Sequence, residues 1–102
     1  MVIEVLYVPG CPNHHGAIAN LKSALRSAAV DAPIREIPVM DEAMASRLKF
    51  PGSPTIRIDG SDVELNHCES YCLACRLYSN GTGVPSREIL ERALAQAKEG
   101  KV

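Results

Sequence analysis

The chain begins MVIEVLYVPGCP, and residues 2–12 contain the most informative pattern of the sequence. Residues 2–8 are rich in β-branched and aromatic side chains and are almost continuously apolar, which is typical of a strand that is buried on both faces. Pro9-Gly10 ends this strand, and Pro12 fits the first position of a helix. The pattern predicts a central strand that leads directly into a helix, with Cys11 at the helix N-cap.

The other elements follow from the spacing of apolar residues and from turn signals. Further strands are predicted over residues 34–39, from Pro54 to residue 58, and around residues 63–65 after an Asp59-Gly60 hairpin turn. Helices are predicted from Pro12 to residue 28, from a cap at Asp41 to residue 48, and after Ser86 up to Gly100. The order β-α-β-α-β-β-α predicts a three-layer α/β/α sandwich with a four-stranded mixed sheet, in which the first two strands are parallel. Pro38 indicates that the second strand lies at an edge or has an irregular end.

Composition limits the class of protein. The 102 residues are 46% hydrophobic and 23% charged, which is typical of one globular domain over residues 1–102. A net charge of −1 with scattered basic residues makes nucleic acid an unexpected partner. Because the chain opens with a strand pattern and has no long apolar run, we expect neither export nor a membrane partner. The expected location is the cytoplasm.

The chain has four cysteines, and their positions suggest chemistry. They are Cys11, Cys68, Cys72 and Cys75. In a reducing cytosol, thiols of this number are more often reactive or metal-binding than paired in structural disulfides. The alternative is that they pack in the core as small apolar groups.

Cys11 is the main candidate for a reactive group. A thiol at a helix N-terminus lies near unpaired N–H groups and the positive end of the helix dipole, which favour the thiolate. The thiolate is the form that attacks disulfides, peroxides and soft metal ions. His14 and His15 follow within the first predicted turn, and His14 could stabilise the thiolate. The alternative is that Cys11 only forms part of a turn beside Pro12.

The second cysteine cluster lies in residues 67–75, HCESYCLAC. Its Cys-x3-Cys and Cys-x2-Cys spacings suit a tetrahedral thiolate site for zinc, mercury or an iron–sulfur cluster, with Cys11 or His67 as the fourth ligand. On a helix, Cys68, Cys72 and Cys75 would share one face, so packing into the core is a further alternative. The three tyrosines, Tyr7, Tyr71 and Tyr78, are interpreted as packing residues.

The element order, the cysteine at the first strand-to-helix turn and Ser53-Pro54-Thr55 before the third strand resemble the thioredoxin-like superfamily, over essentially the whole chain. The segments Gly10-Cys11-Pro12-Asn13, Gly52-Ser53-Pro54-Thr55 and Cys75-Arg76-Leu77-Tyr78 are similar to those of a small bacterial thioredoxin-like group. Some sequences of that group have an organomercurial-lyase label, which is a hint of thiophilic metals and not an activity.

The resemblance implies a cis-proline at Pro54, placed beside Cys11, and a substrate-binding surface formed by Pro12, His14, Ser53, Pro54 and Thr55. The chain also differs from the family pattern, because His14 occupies the position of the second cysteine of the Cys-x-x-Cys motif. A disulfide within the motif is therefore impossible.

The family topology would return the second cysteine cluster to the edge of the sheet where Cys11 lies. Cys75 or Cys72 would then resolve a disulfide or a sulfenic acid formed at Cys11.

Three functions follow as hypotheses. The first is a thiol–disulfide oxidoreductase or redox relay, with Cys11 as nucleophile, Cys75 or Cys72 as resolving thiol, protein or small-molecule thiols and disulfides as partners, and no cofactor. The second is a module that binds zinc, mercury or another soft cation through Cys11, Cys68, Cys72 and Cys75. The third is an interaction domain without catalysis.

Overall fold

In the computed structural model, which describes residues 1–64, 78 and 81–99, the chain adopts an α/β fold. The elements are β1 (Ile3–Tyr7), α1 (His14–Ser27), β2 (Ile34–Pro38), α2 (Glu42–Arg47), β3 (Thr55–Ile58), β4 (Ser61–Asp62) and α3 (Arg87–Glu99). This is the order that the apolar spacing predicts. Within the described ranges, no helix combines the length and the apolar character needed to cross a bilayer.

The four strands form one mixed sheet in the order β2-β1-β3-β4. Strand β1 pairs in parallel with β2, where Ile3 is opposite Ile34, and antiparallel with β3, where Leu6 is opposite Thr55. The prediction of a central first strand is confirmed. Of the two alternatives for the second strand, the edge position is the correct one. Pro38 is the last residue of that edge strand, where its missing N–H removes no hydrogen bond from the interior of the sheet.

Successive residues of β1 point to opposite faces of the sheet, and each face is covered by helices. Ile3 and Val5 lie in the core cluster that α1 and α3 form with β3, whereas Leu6 lies in a second cluster with α2. The first cluster is Ile3, Val5, Ala17, Leu21, Ala24, Leu25, Ile56, Ile58, Leu90 and Leu94; the second is Leu6, Val39, Ala45 and Phe50. Burial on both sides explains why β1 is almost continuously apolar.

Two local signals in the sequence are confirmed. The Asp41 side chain accepts a hydrogen bond from Met44 N at 2.8 Å and so caps α2. Asp59 and Gly60 have φ values of 51° and 86°, as a tight hairpin turn requires.

The predicted returning strand is shorter and earlier than expected. Strand β4 contains only Ser61–Asp62, although Val63 N still donates to Ile56 O at 3.0 Å. The predicted strand residue Leu65 and the predicted helix end at Gly100 lie outside the described residues.

The predicted start of the first helix was wrong by two residues. Helix α1 begins at His14, its N-cap is Asn13, and Cys11 lies two residues before the cap. The reason is that Cys11 O accepts a hydrogen bond from His14 N at 3.3 Å, which closes a four-residue turn ahead of the helix. Proline is favoured at the second position of such a turn, so Pro12 belongs to the turn and not to the helix.

Candidate functional site

The residues singled out from the sequence meet at one edge of the sheet. Because β1 and β2 are parallel, their carboxyl ends lie at the same edge, and the antiparallel β3 begins there. Cys11 follows β1, and Ser53-Pro54 comes directly before β3. We call this region the Cys11 edge, defined by Val8, Cys11, His14 and residues 53–54.

Cys11 lies in the turn at the centre of this edge and is partly exposed to solvent. Its N–H donates to Val8 O at 2.9 Å, and its carbonyl accepts from His14 N. The side chain of Asn13 makes no cap hydrogen bond, so it does not occupy the first-turn N–H groups of α1. The main chain of Cys11 is thus held by one hydrogen bond at its N–H and one at its carbonyl, in a residue that is partly exposed.

The loop before β3 is joined to the Cys11 turn through Val8. The Ser53–Pro54 peptide bond is cis, as the family resemblance implies. Ser53 Oγ accepts a hydrogen bond from Val8 N at 3.0 Å, and Val8 O accepts the bond from Cys11 N. Two consecutive hydrogen bonds on one residue therefore hold the cis-proline loop and the Cys11 turn in a fixed relation.

The predicted substrate-binding residues differ in how accessible they are. Ser53, Pro54 and Thr55 are each buried, and Thr55 Oγ1 donates to Gly52 O at 2.6 Å. Pro12 is exposed and His14 is partly exposed. The side chains of residues 53–55 thus hold the loop together, and only Pro12 and His14 of this set present side-chain atoms to solvent.

His14 is bound on two sides by residues of the sheet. Its ring stacks on Tyr7 of β1, with 3.8 Å between ring centroids and 5° between the planes. Its Nε2 atom lies 2.7 Å from Oε1 of Glu36 in β2. The side chain of His14 is only 15% exposed as a result, whereas that of Glu36 is 49% exposed. His15 is exposed, and its ring centroid lies 5.3 Å from that of His14.

Sequence reasoning missed Glu36, and it assigned Tyr7 to packing alone. A signal for Glu36 was present, because strand alternation puts it on the same face of β2 as Ile34, which packs against the α1 side of the sheet. Glu36 thus lies on the face that α1 covers, and the first turn of α1 contains His14.

Tyr78 fixes the cis-proline loop from the other side. Its hydroxyl donates to Pro54 O at 2.6 Å, and its ring is buried, with 3% of the residue exposed. Its N–H donates to Thr82 O at 2.9 Å. The prediction that Tyr78 is a packing residue is confirmed, and its hydroxyl adds a specific bond to the loop beside Cys11.

Replacing Tyr78 with phenylalanine should lower the free energy of unfolding by about 1–2 kcal/mol, since Pro54 O would lose the buried donor that now satisfies it. Chemical denaturation measures this difference. Tyr7→Phe is the matched control, because it keeps the ring that stacks on His14 and removes a hydroxyl from a partly exposed side chain. Equal effects of the two substitutions would contradict the importance of the Tyr78 hydrogen bond.

The second cysteine cluster, residues 67–75, falls in a stretch that the structure does not describe. Cys68, Cys72, Cys75 and His67 lie outside the described residues, so their proposed approach to Cys11 stays a prediction. Within residues 1–64, 78 and 81–99, no group of three or more histidine, cysteine, aspartate and glutamate side chains has the geometry of a metal site.

A cleft of about 390 Å³ lies at the opposite end of β3. It is lined by Ile58, Asp59, Ser61, Asp62, Ala93, Gln96 and Ala97. None of these is a predicted site residue, so the cleft is separate from the Cys11 edge. The Cys11 edge is therefore the candidate site. Comparisons with family models, with curated proteins and with solved structures found no match to this chain.

Proposed function

We propose that the protein is a cytoplasmic thiol–disulfide oxidoreductase or redox relay of thioredoxin-like architecture, with Cys11 as its nucleophile. One observation carries the proposal: a partly exposed cysteine is fixed next to a cis-proline loop by two hydrogen bonds to Val8. A thiol needs exposure to meet a disulfide and a fixed main chain to attack it in line. The sheet order and the cis bond at Pro54 also agree with this architecture.

The proposed reaction is a two-step thiol–disulfide exchange. The thiolate of Cys11 attacks one sulfur of a partner disulfide, the S–S bond breaks, and the other partner sulfur leaves as a thiolate. A second thiolate of the protein then attacks Cys11 Sγ in the mixed disulfide and releases the remaining partner thiol. The partner disulfide gains two electrons, and the protein is left with one internal disulfide. A small-molecule or protein dithiol returns that disulfide to two thiols.

The second thiol has to come from another part of the chain, since His14 occupies the fourth position of the motif. Cys75 is our first choice and Cys72 our second. Cys75 precedes Tyr78 by three residues, and three residues of chain span at most about 11 Å. The Tyr78 hydroxyl is hydrogen-bonded to Pro54 at the Cys11 edge. The short stretch of chain between Cys75 and Tyr78 therefore supports Cys75 as the resolving thiol.

Substrate contacts follow from the accessibility of the edge. Pro12 and His14 offer side chains to a protein or small-molecule disulfide, because both have exposed atoms beside Cys11. Ser53, Pro54 and Thr55 contribute to substrate binding through the shape of the loop, since their side chains are buried.

The test is mass mapping of disulfides together with metal analysis, on protein purified under nitrogen and then treated with oxidised glutathione. We expect a bridge between Cys11 and either Cys75 or Cys72, and no stoichiometric metal. Zinc or another soft metal at one equivalent, lost on replacement of Cys11, Cys68, Cys72 or Cys75, would replace this proposal with the metal-binding module. Four unmodified thiols without metal would leave an interaction domain.

A further inference from the structure

The pair His14–Glu36 is the most specific polar contact of the Cys11 edge. It joins the first turn of α1 to the edge strand β2 across the end of β1. Two contacts hold the imidazole: the 2.7 Å bond to Glu36 and the stack on Tyr7. The backbone N–H of the same residue donates to Cys11 O. A side chain held in this way has lost most of its rotamer freedom. A side chain that acts on a reacting group has to be held in one geometry in the same way.

The chemistry of the pair determines where the protons lie. An ionised carboxylate can only accept hydrogen bonds, so the nitrogen that faces Glu36 must bear the hydrogen. Nε2 is therefore the N–H of the neutral ring, and Nδ1 holds the free lone pair. Nδ1 is bonded to Cγ and is the ring nitrogen nearer to the main chain. Cys11 belongs to the turn directly before His14, since Cys11 O accepts from the backbone N–H of His14 at 3.3 Å.

We propose that Glu36 is a positioning residue that fixes the Nε2–H form of His14, so that Nδ1 accepts the proton of the Cys11 thiol. The proton leaves Sγ and binds Nδ1, directly or through one water, which gives a thiolate and an imidazolium with no change in total charge. The carboxylate of Glu36 then pairs with the imidazolium. This inference rests on the proposed function of Cys11 and adds the base that generates its thiolate.

The carboxylate of Glu36 also offsets the unfavourable effect of the helix dipole on an imidazolium at His14. A positive imidazolium at the N-terminus of α1 is destabilised by the helix dipole. Glu36 provides a compensating negative charge at 2.7 Å from the ring. Among the described residues, Tyr7 of β1 and His15 of α1 are the other titratable groups with a ring contact to His14.

The test has one readout that does not depend on thiol chemistry. The ¹⁵N chemical shifts of His14 in long-range ¹H–¹⁵N spectra give the protonated nitrogen of the neutral ring. We expect the Nε2–H form to dominate in the wild-type protein and to lose its dominance in Glu36→Gln, because an amide can donate as well as accept. Glu4→Gln is the matched control, since Glu4 lies on the opposite face of the sheet beside Arg35. A wild-type Nδ1–H form, or an unchanged ratio in Glu36→Gln, would overturn the assignment of Glu36.

The second readout is the rate at which iodoacetamide alkylates Cys11 at neutral pH, followed for this residue by peptide mass spectrometry. Glu36→Gln should slow alkylation about two- to fivefold, the range expected for a half-exposed ion pair, and Glu4→Gln should not change it. An unchanged rate in Glu36→Gln with an altered tautomer would refute the link between His14 and Cys11. That result would leave the oxidoreductase proposal standing, because disulfide mapping tests it separately.

Discussion

Cys11→Ser should reduce the disulfide reductase activity of the protein by more than about 100-fold, since loss of a catalytic nucleophile lowers kcat by several orders of magnitude. Serine has nearly the same size as cysteine, but its hydroxyl is not ionised near neutral pH and does not attack disulfides. The hydrogen bonds that fix residue 11 use its main chain, so they are retained in the variant. The assay is reduction of insulin with dithiothreitol or glutathione as electron donor.

The other cysteines provide matched controls for this experiment. Cys68→Ser removes a thiol to which the mechanism assigns no redox step, and it should leave the activity within about twofold of wild type. Cys75→Ser should instead trap the mixed disulfide between Cys11 and its substrate, or shift resolution to Cys72. If Cys11→Ser retained the wild-type rate, Cys11 would not be the nucleophile. Equal losses for Cys11→Ser and Cys68→Ser would indicate a shared metal site.

Features that depend on neighbours in the chain could be predicted from the sequence. The order of the elements, the cap at Asp41 and the Asp59-Gly60 turn all follow from spacing and backbone preferences within a few residues. The central place of β1 could also be predicted, because only a strand covered on both faces has such a continuous run of apolar residues. These are local or one-dimensional signals.

The finer features of the Cys11 edge depend on contacts that are distant in sequence. The start of α1 was misplaced, since Pro12 is equally suited to a turn and to a first helical position, and the bond between Cys11 O and His14 N favours the turn. The pair His14–Glu36 spans 22 residues, and it depends on the register of β1 against β2 and on the rotation of α1 above them. Neither the strand register nor the rotation of the helix can be predicted from a short sequence motif.

The Cys11 edge also depends on the α2 side of the sheet through Val8. Val8 provides both hydrogen bonds that join Ser53 and Cys11, and its side chain packs against the cluster that contains Phe50. Phe50 is the largest fully buried side chain among the described residues. Its N–H donates to Ala45 O at 2.8 Å and so terminates α2, after Lys49 with a φ of 54°. Phe50 thus ends α2 through its main chain, and its side chain belongs to the cluster against which Val8 packs.

Phe50→Ala should accordingly lower the free energy of unfolding by about 3–5 kcal/mol, through lost apolar burial and the cavity left behind. Denaturant unfolding measures this loss, and hydrogen exchange at the Val8 amide should become faster as the layer beneath it loosens. Met40→Ala is the control: Met40 lies just before α2 and is 65% exposed, so loss of its side chain should change stability by less than about 0.5 kcal/mol. A Phe50→Ala loss below about 1 kcal/mol, outside the usual range for buried phenylalanine, would show that the α2 layer does not support the Cys11 edge.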